Sequence, residues 1–223
     1  MATSSLRPEI IFGVHSWGSV NGQHMTVTNP VQAQPYIDIL KAHNITTIDT
    51  SRNYPTGAPG TSEDLLGECD VSGFKIDTKV RNETGDHAFG TVLKSIDNSL
   101  VALKVPKIRV DFLHWPDRSV PLEEPLRAID QKYREGKFEK FGISNYAAEE
   151  VEEIIKICEL HGWIKPSVYQ GQYNLLCRRG EEQLFPTLRA HGISFYAWSP
   201  GAGGSLKKDS SRLARKVCYA FSI

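Results

Sequence analysis

Asp49, Tyr54, Lys79 and His114 are four residue types that together can protonate an oxygen. A phenol with an ordinary pKa of about 10 is a poor proton donor near neutrality. A lysine ammonium beside it favours the phenolate and lowers that pKa. A carboxylate next to the lysine holds it charged and oriented, and a histidine can hydrogen-bond a carbonyl oxygen and align the substrate. When hydride reaches a carbonyl carbon the oxygen becomes negative, and donors aimed at it stabilise the transition state. The hydride itself needs a cofactor. Taken singly, each residue has a structural explanation: Asp49 as a turn residue, Lys79 as a solvated charge, His114 as a packed ring, Tyr54 as a cover over the core. Only their convergence on one face describes an acid.

The surrounding pattern predicts that convergence. Short apolar runs, most of them rich in β-branched or aromatic residues, span residues 10–14, 45–49, 74–78, 110–114, 140–144, 167–170 and 193–197. They read as strands buried on both faces. Asp49 closes the second, with Tyr54 in the loop beyond. Lys79 closes the third and His114 the fourth. Ser144 and Asn145 close the fifth, Gln170 the sixth, and Trp198 and Ser199 the seventh. Between the runs, Val92, Ile96, Leu100 and Leu103 follow helical spacing, as do Val151, Ile154, Ile155 and Cys158. His43-Asn44, Glu135-Gly136, His161-Gly162 and His191-Gly192 supply left-handed caps before the next strand, and the intervals from Gly136 to Gly162 to Gly192 each match one βα unit. The histidines among them suit the last turn of a helix through its dipole. Strand–helix alternation implies a parallel sheet with helices outside, and no G-x-G-x-x-G follows the first strand. Seven strands and six well-supported helices result, the link from the second strand to the third being short. In a barrel, the C-terminal strand ends open onto one face.

Composition bounds the rest. The chain has 223 residues, 40% hydrophobic and 23% charged, enough apolar material for one core, and a formal net charge of zero. No broad attraction to nucleic acid or an anionic membrane follows from such a balance. Neither a signal peptide nor a membrane span is evident. Cys69, Cys158, Cys177 and Cys218 lack metal-ligand spacing, so no metal is expected, and they read as reduced thiols of a cytoplasmic protein.

Several stretches then match one family. Ile48-Asp49-Thr50-Ser51-Arg52-Asn53-Tyr54 is followed by Gly60-Thr61-Ser62-Glu63-Asp64-Leu65-Leu66-Gly67, with extra residues from Pro55 to Pro59. Thr78-Lys79, Leu113-His114, Gly142-Ile143-Ser144-Asn145-Tyr146 and Tyr169-Gln170 come in matching order and spacing. Over residues 9–204 the sequence resembles the aldo-keto reductases. Tyr169-Gln170-Gly171-Gln172-Tyr173-Asn174, Glu182-Gln183-Leu184-Phe185-Pro186 and Phe195-Tyr196-Ala197-Trp198 resemble the aflatoxin-aldehyde reductase branch most. The resemblance implies a (β/α)8 TIM-barrel type of α/β fold. It implies an NADPH-dependent oxidoreductase that reduces an aldehyde or ketone to an alcohol, in detoxification or secondary metabolism. Tyr54 would be the proton donor, with Asp49, Lys79 and His114 completing a tetrad. Ser144, Asn145 and Gln170 would hold the nicotinamide carboxamide. Trp198 would stack on the nicotinamide ring, with Ser199 beside it in the cofactor site. Trp17 and Trp115 are candidates for the substrate pocket or for the edge of the core.

After Gly204 the match fades. Residues 1–204 are assigned to the barrel and 205–223 to a divergent short tail, where Leu206, Leu213 and Val217 suit one short helix. The expectation is an incomplete barrel of about seven strands without the eighth βα unit. Barrel phosphate sites are commonly built after strands seven and eight. Two or three lost charge-assisted contacts, each worth about 1.5–3 kcal/mol, would weaken cofactor binding by orders of magnitude. The partner expected is a small-molecule carbonyl compound, and a homodimer is left open. Two other readings stay beside this one: a non-catalytic, cofactor-impaired barrel or binding subunit, and a Schiff-base aldolase using Lys79.

Overall fold

A computed structural model of the chain describes residues 8–18 and 25–206. Seven strands alternate with six α-helices among them: β1 (Phe12–Gly13), α1 (Pro30–Ala42), β2 (Thr47–Asp49), α2 (Thr61–Glu68), β3 (Lys75–Val80), α3 (Phe89–Leu103), β4 (Ile108–Leu113), α4 (Glu123–Arg134), β5 (Phe138–Ser144), α5 (Ala148–His161), β6 (Val168–Gln172), α6 (Leu184–Ala190) and β7 (Ser194–Trp198). Every strand pairs in parallel with the next, in the order β1 to β7. This is the wall of an incomplete (β/α)8-type barrel, as expected, with seven parallel strands among the described residues. β1 and β7 do not pair with each other there. Cys218 and the residues of the expected tail helix beyond Leu206 lie outside the described residues.

Helix ends follow local chemistry. At the start of α1 the Asn29 side chain accepts the Gln32 N–H at 3.0 Å, and the Gln32 side chain accepts the Thr28 N–H at 2.8 Å. Two otherwise orphan donors are thus satisfied, with Pro30 filling a position where no N–H is needed. Asn44, Gly136, Gly162 and Gly192 all take positive φ, between 55° and 73°. The four sequence-read caps therefore stop their helices as expected.

The helical faces are buried as their spacing predicts. Val92 and Ile96 of α3, and Val151, Ile154, Ile155 and Cys158 of α5, share one buried cluster, with Leu100 half-buried against it, and Leu103 is buried in a second. Full burial of each large apolar side chain stabilises by about 1.5–3 kcal/mol. Inside the wall, Val110, Phe112 and Val168 form a separate small cluster, with Tyr196 against it. A Cβ on Gly142 would come within 2.3 Å of the Phe112 ring. The glycine makes room for that ring beneath the site.

Two differences from the sequence reading have clear causes. The first strand is only Phe12–Gly13, and Ile10 is 64% exposed. Among the described residues β1 has a partner on one side only, so less of the apolar run is held in a ladder. The short link between β2 and β3 does carry a helix, α2. It starts at Gly60, whose φ of 89° turns the chain, and has Glu63 and Asp64 in its first turn, where the helix dipole favours acids.

Candidate active site

The strand ends bring the predicted residues together. β2 ends on Asp49, and the neighbouring Lys79 lies one residue from the end of β3. Lys79 is fully buried, and its ammonium donates to Asp49 Oδ1 at 2.6 Å and to the Thr50 carbonyl at 2.6 Å. Asp49 Oδ2 accepts the Gln170 amide at 2.9 Å. Gln170 thus joins the carboxylate–lysine pair, a contact the sequence did not indicate.

Tyr54 stands over this pair. Its ring centroid is 4.9 Å from Lys79 Nζ and 5.5 Å from the His114 ring. The loop holding it closes on itself: the Tyr54 carbonyl accepts the N–H groups of Gly60 at 3.0 Å and Ser62 at 3.2 Å. Arg52 pairs with the buried Glu63 at 2.6 Å, and Ser62 Oγ donates to the Val14 carbonyl at 3.1 Å. The extra residues 55–59 therefore form a pinned loop around the tyrosine. Gly18 is required beside it, because a Cβ there would meet Pro55 at 2.6 Å.

Burial and neighbouring charges shift each titrating group in a definite direction. Burial opposes charge on Lys79, but the Asp49 carboxylate and the hydrogen bond to it outweigh that, and the lysine pKa rises. Burial pushes the Tyr54 pKa up; Lys79 pulls it down through charge and a hydrogen bond without reversing the direction. The net shift is opposite to the one expected from the lysine alone, because enclosure costs the phenolate more than the ammonium returns. His114 is held well below the ordinary histidine range, first by burial and then by the positive charge of Lys79. The site therefore holds an ammonium, a protonated phenol and an uncharged imidazole.

The remaining predicted residues occupy the same rim. Ser144 is paired in register with Gln170 across β5 and β6. Asn145 turns with φ 66°, and its amide nitrogen donates to the His114 carbonyl at 3.0 Å and to Ser144 Oγ at 2.9 Å. With these amide nitrogens committed inside the protein, the Asn145 and Gln170 amide oxygens and the Ser144 hydroxyl proton are suited to a ligand. Such a set can both accept from and donate to a carboxamide. Trp198 is half-buried at the end of β7, on the same side of the strand as Tyr196, whose ring meets Phe112 inside the wall. Ser199 follows with φ 56°, and its hydroxyl accepts the Gly203 N–H at 3.2 Å.

Comparison with known proteins accords with this arrangement. The model of the aldo/keto reductase family matches residues 9–217. The chain belongs to the aldo/keto reductase family. It is 44% identical over 168 residues to "Aldo-keto reductase family 7 member A3" of Homo sapiens, covering 72% of the chain and 50% of that protein. It is 38% identical over 211 residues to "Oxidoreductase sirO" of Leptosphaeria maculans, covering 92% and 63%. A third relative, "Aflatoxin B1 aldehyde reductase member 4" of Homo sapiens, is 43% identical over 168 residues, covering 72% and 50%. The chain thus spans about half the length of these two human proteins.

Some neighbours escaped the sequence reading. His15, just beyond β1, places its ring 4.6 Å from Tyr54. The only available hint was its position after a first-strand end. Ser51 is fully buried and lies 3.1 Å from His114 Nδ1. Of the two tryptophans left open, Trp17 belongs to the core: it is 2% exposed and packs edge-on against Phe12 and Tyr36. Trp115 is half-buried directly after His114. Among the described residues no helix is long and apolar enough to cross a membrane.

Proposed function

We propose that this protein is an NADPH-dependent reductase that converts an aldehyde or ketone to the alcohol, with Tyr54 as proton donor. The observation that carries the reading is the closed set of contacts around one buried cation: Asp49, Lys79 and Thr50, with Tyr54 above and His114 at its edge. The family generally uses a reduced nicotinamide cofactor, whose chemistry is delivery of hydride to the carbonyl carbon. Ser144, Asn145 and Gln170 would hold its carboxamide, with Trp198 and Ser199 completing the contact surface.

The protein's own residues then handle the oxygen. Tyr54 keeps its proton at neutral pH and gives it up only when the carbonyl oxygen gains negative charge. The Lys79 ammonium stabilises the phenolate left behind, and Asp49 keeps that ammonium charged. His114, uncharged, is suited to donate a hydrogen bond to the same oxygen and fix the carbonyl plane. The aldolase reading fits poorly, since an imine-forming lysine needs a free amine, and Lys79 is held as an ammonium between Asp49 and the Thr50 carbonyl. Small aldehydes or dialdehydes are the proposed substrates, because relatives bear aldehyde-reductase names.

The test is a titration of the 223-residue chain with NADPH, followed by tryptophan fluorescence. Saturable quenching at micromolar cofactor, then aldehyde-dependent NADPH oxidation lost in Tyr54→Phe by about 10²–10⁴-fold, is the expected result. A folded chain that shows no binding at millimolar cofactor would point to the cofactor-impaired reading instead.

A further inference from the structure

The Ser51 hydroxyl sits between two groups. It accepts the Asn53 N–H at 3.1 Å, and His114 Nδ1 lies 3.1 Å away on its other side. Ser51 is 0% exposed and His114 8%, so water cannot readily replace either contact. A serine hydroxyl has one proton to give. With a backbone N–H already pointing at the oxygen, that proton is best directed at the remaining neighbour, Nδ1. An imidazole that accepts at Nδ1 carries its own proton on Nε2.

We infer that Ser51 is a positioning residue that fixes His114 as the Nε2–H tautomer, so that the ring presents a donor to the substrate oxygen. The consequence for carbonyl binding rests on the reductase reading above; the tautomer does not. The opposite tautomer would place the proton on Nδ1, facing Ser51, and leave Nε2 an acceptor that repels a carbonyl oxygen. Burial, and after it the positive charge of Lys79, favours the uncharged imidazole in either case, with the His15 and His87 rings acting in the same direction. Choice of tautomer therefore falls to the hydrogen bond, not to net charge.

The contact joins the loop after β2 to the end of β4. Thr50 Oγ1 bonds to Ser62 Oγ at 3.0 Å, and Tyr54 N–H donates to the Ser51 carbonyl at 3.0 Å. One short segment thus holds Tyr54 through its backbone and His114 through a side chain. The two groups that meet the substrate oxygen are set relative to each other by residues 50–54.

The experiment is long-range ¹H–¹⁵N correlation of the histidine rings in the ¹⁵N-labelled full chain, with the His114 signals assigned by their loss in His114→Gln. The expected spectrum shows Nε2 protonated and Nδ1 as the bare, pyridine-like nitrogen at neutral pH. Ser51→Ala should shift that pattern toward a mixture of tautomers, and Ser51→Thr, which keeps a hydroxyl, should restore it. In turnover, Ser51→Ala should lower kcat/KM by about tenfold, the equivalent of one hydrogen bond, with cofactor affinity unchanged. An Nδ1-protonated ring in the unmodified protein, or an unaltered spectrum in a folded Ser51→Ala, overturns the proposal. If the tautomer behaves as expected while no carbonyl compound is reduced, the reductase reading fails and the role of Ser51 at the ring stands.

Discussion

The buried pair Asp49–Lys79 is central to the proposed chemistry and bears on stability, and replacing Asp49 by Asn tests it without changing volume. Lys79 is 0% exposed, so its ammonium depends on protein partners. Asp49 gives it one carboxylate oxygen at 2.6 Å and gives the other to Gln170 at 2.9 Å. An asparagine has one acceptor oxygen for those two donors. Whichever it serves, its NH₂ faces the other, donor against donor. Removing one partner of a buried pair leaves an uncompensated charge and costs about 3–5 kcal/mol. At a urea m-value of about 2–3 kcal/mol/M, the midpoint should fall by roughly 1–2.5 M.

A companion variant separates loss of charge from loss of packing. Asp49→Leu with Lys79→Met removes both charges and fills the space with apolar groups, an exchange that is often close to neutral. The Gln170 amide then lacks its acceptor and the Thr50 carbonyl loses the lysine donor, at about 1 kcal/mol each. The double variant should therefore be more stable than Asp49→Asn alone and at the same time inactive. Chemical unfolding followed by circular dichroism reads the first outcome and NADPH oxidation with an aldehyde the second. If Asp49→Asn stays within about 1 kcal/mol of the parent, or the double variant is the less stable of the two, the carboxylate is not what sustains the buried ammonium. The account of Tyr54 built on that ammonium would fall with it.

Further outcomes follow from packing and titration. Gly67 lies inside α2, where alanine has the better helix propensity by about 1 kcal/mol. A Cβ there would sit 2.0 Å from the Ala102 carbonyl of α3, so Gly67→Ala should lower Tm rather than raise it, and a rise would mean that the two helices are not packed this closely. His114 has a folded-state pKa well below the ordinary value of about 6.5. Below that pH the unfolded chain takes up a proton that the folded chain refuses, so this contribution to stability is present above pH 6.5 and is lost as pH falls toward the folded pKa. The slope is at most about 1.4 kcal/mol per pH unit for one proton. His87, also depressed chiefly by burial, acts with the same sign. Urea unfolding at pH 5 and pH 7 should show a smaller loss in His114→Gln than in the parent, and equal losses would contradict a neutral buried ring. Because burial raises the pKa of Tyr54, kcat/KM should hold steady through neutral pH and decline only above about 10; a decline beginning near neutrality would instead show that Lys79 outweighs burial.

How much of this was legible in the sequence depends on how each residue is placed. Asp49, Lys79 and Gln170 were found because a parallel sheet sends all its C-terminal strand ends to one face, so the alternation of elements suffices. Asp49 and Gln170 touch although 121 positions separate them. Such reasoning gives the face but not the contact. The sequence points Gln170 at a ligand, whereas its bond to Asp49 depends on side-chain reach and on register across several strands. Residues in the loops had no comparable rule. His15 and Ser51 lie beyond strand ends, where no periodicity fixes the direction of a side chain. Their contacts with Tyr54 and His114 therefore emerged only with coordinates.

The Tyr54 shift shows the deeper limit. Sequence supplies the sign of each neighbour, so a lysine nearby implies a lowered phenol pKa. It does not supply enclosure, and here enclosure is the larger effect. The same packing that buries Lys79, and so makes Asp49 necessary, also surrounds the phenol and keeps its proton in place. A site of this kind cannot lower the tyrosine pKa simply by moving the ammonium closer, because each added contact also removes water. In the proposed reaction the proton would be released when negative charge develops on the substrate oxygen. On the proposed function, catalytic power would come from a response to the reacting oxygen more than from a resting pKa near neutrality.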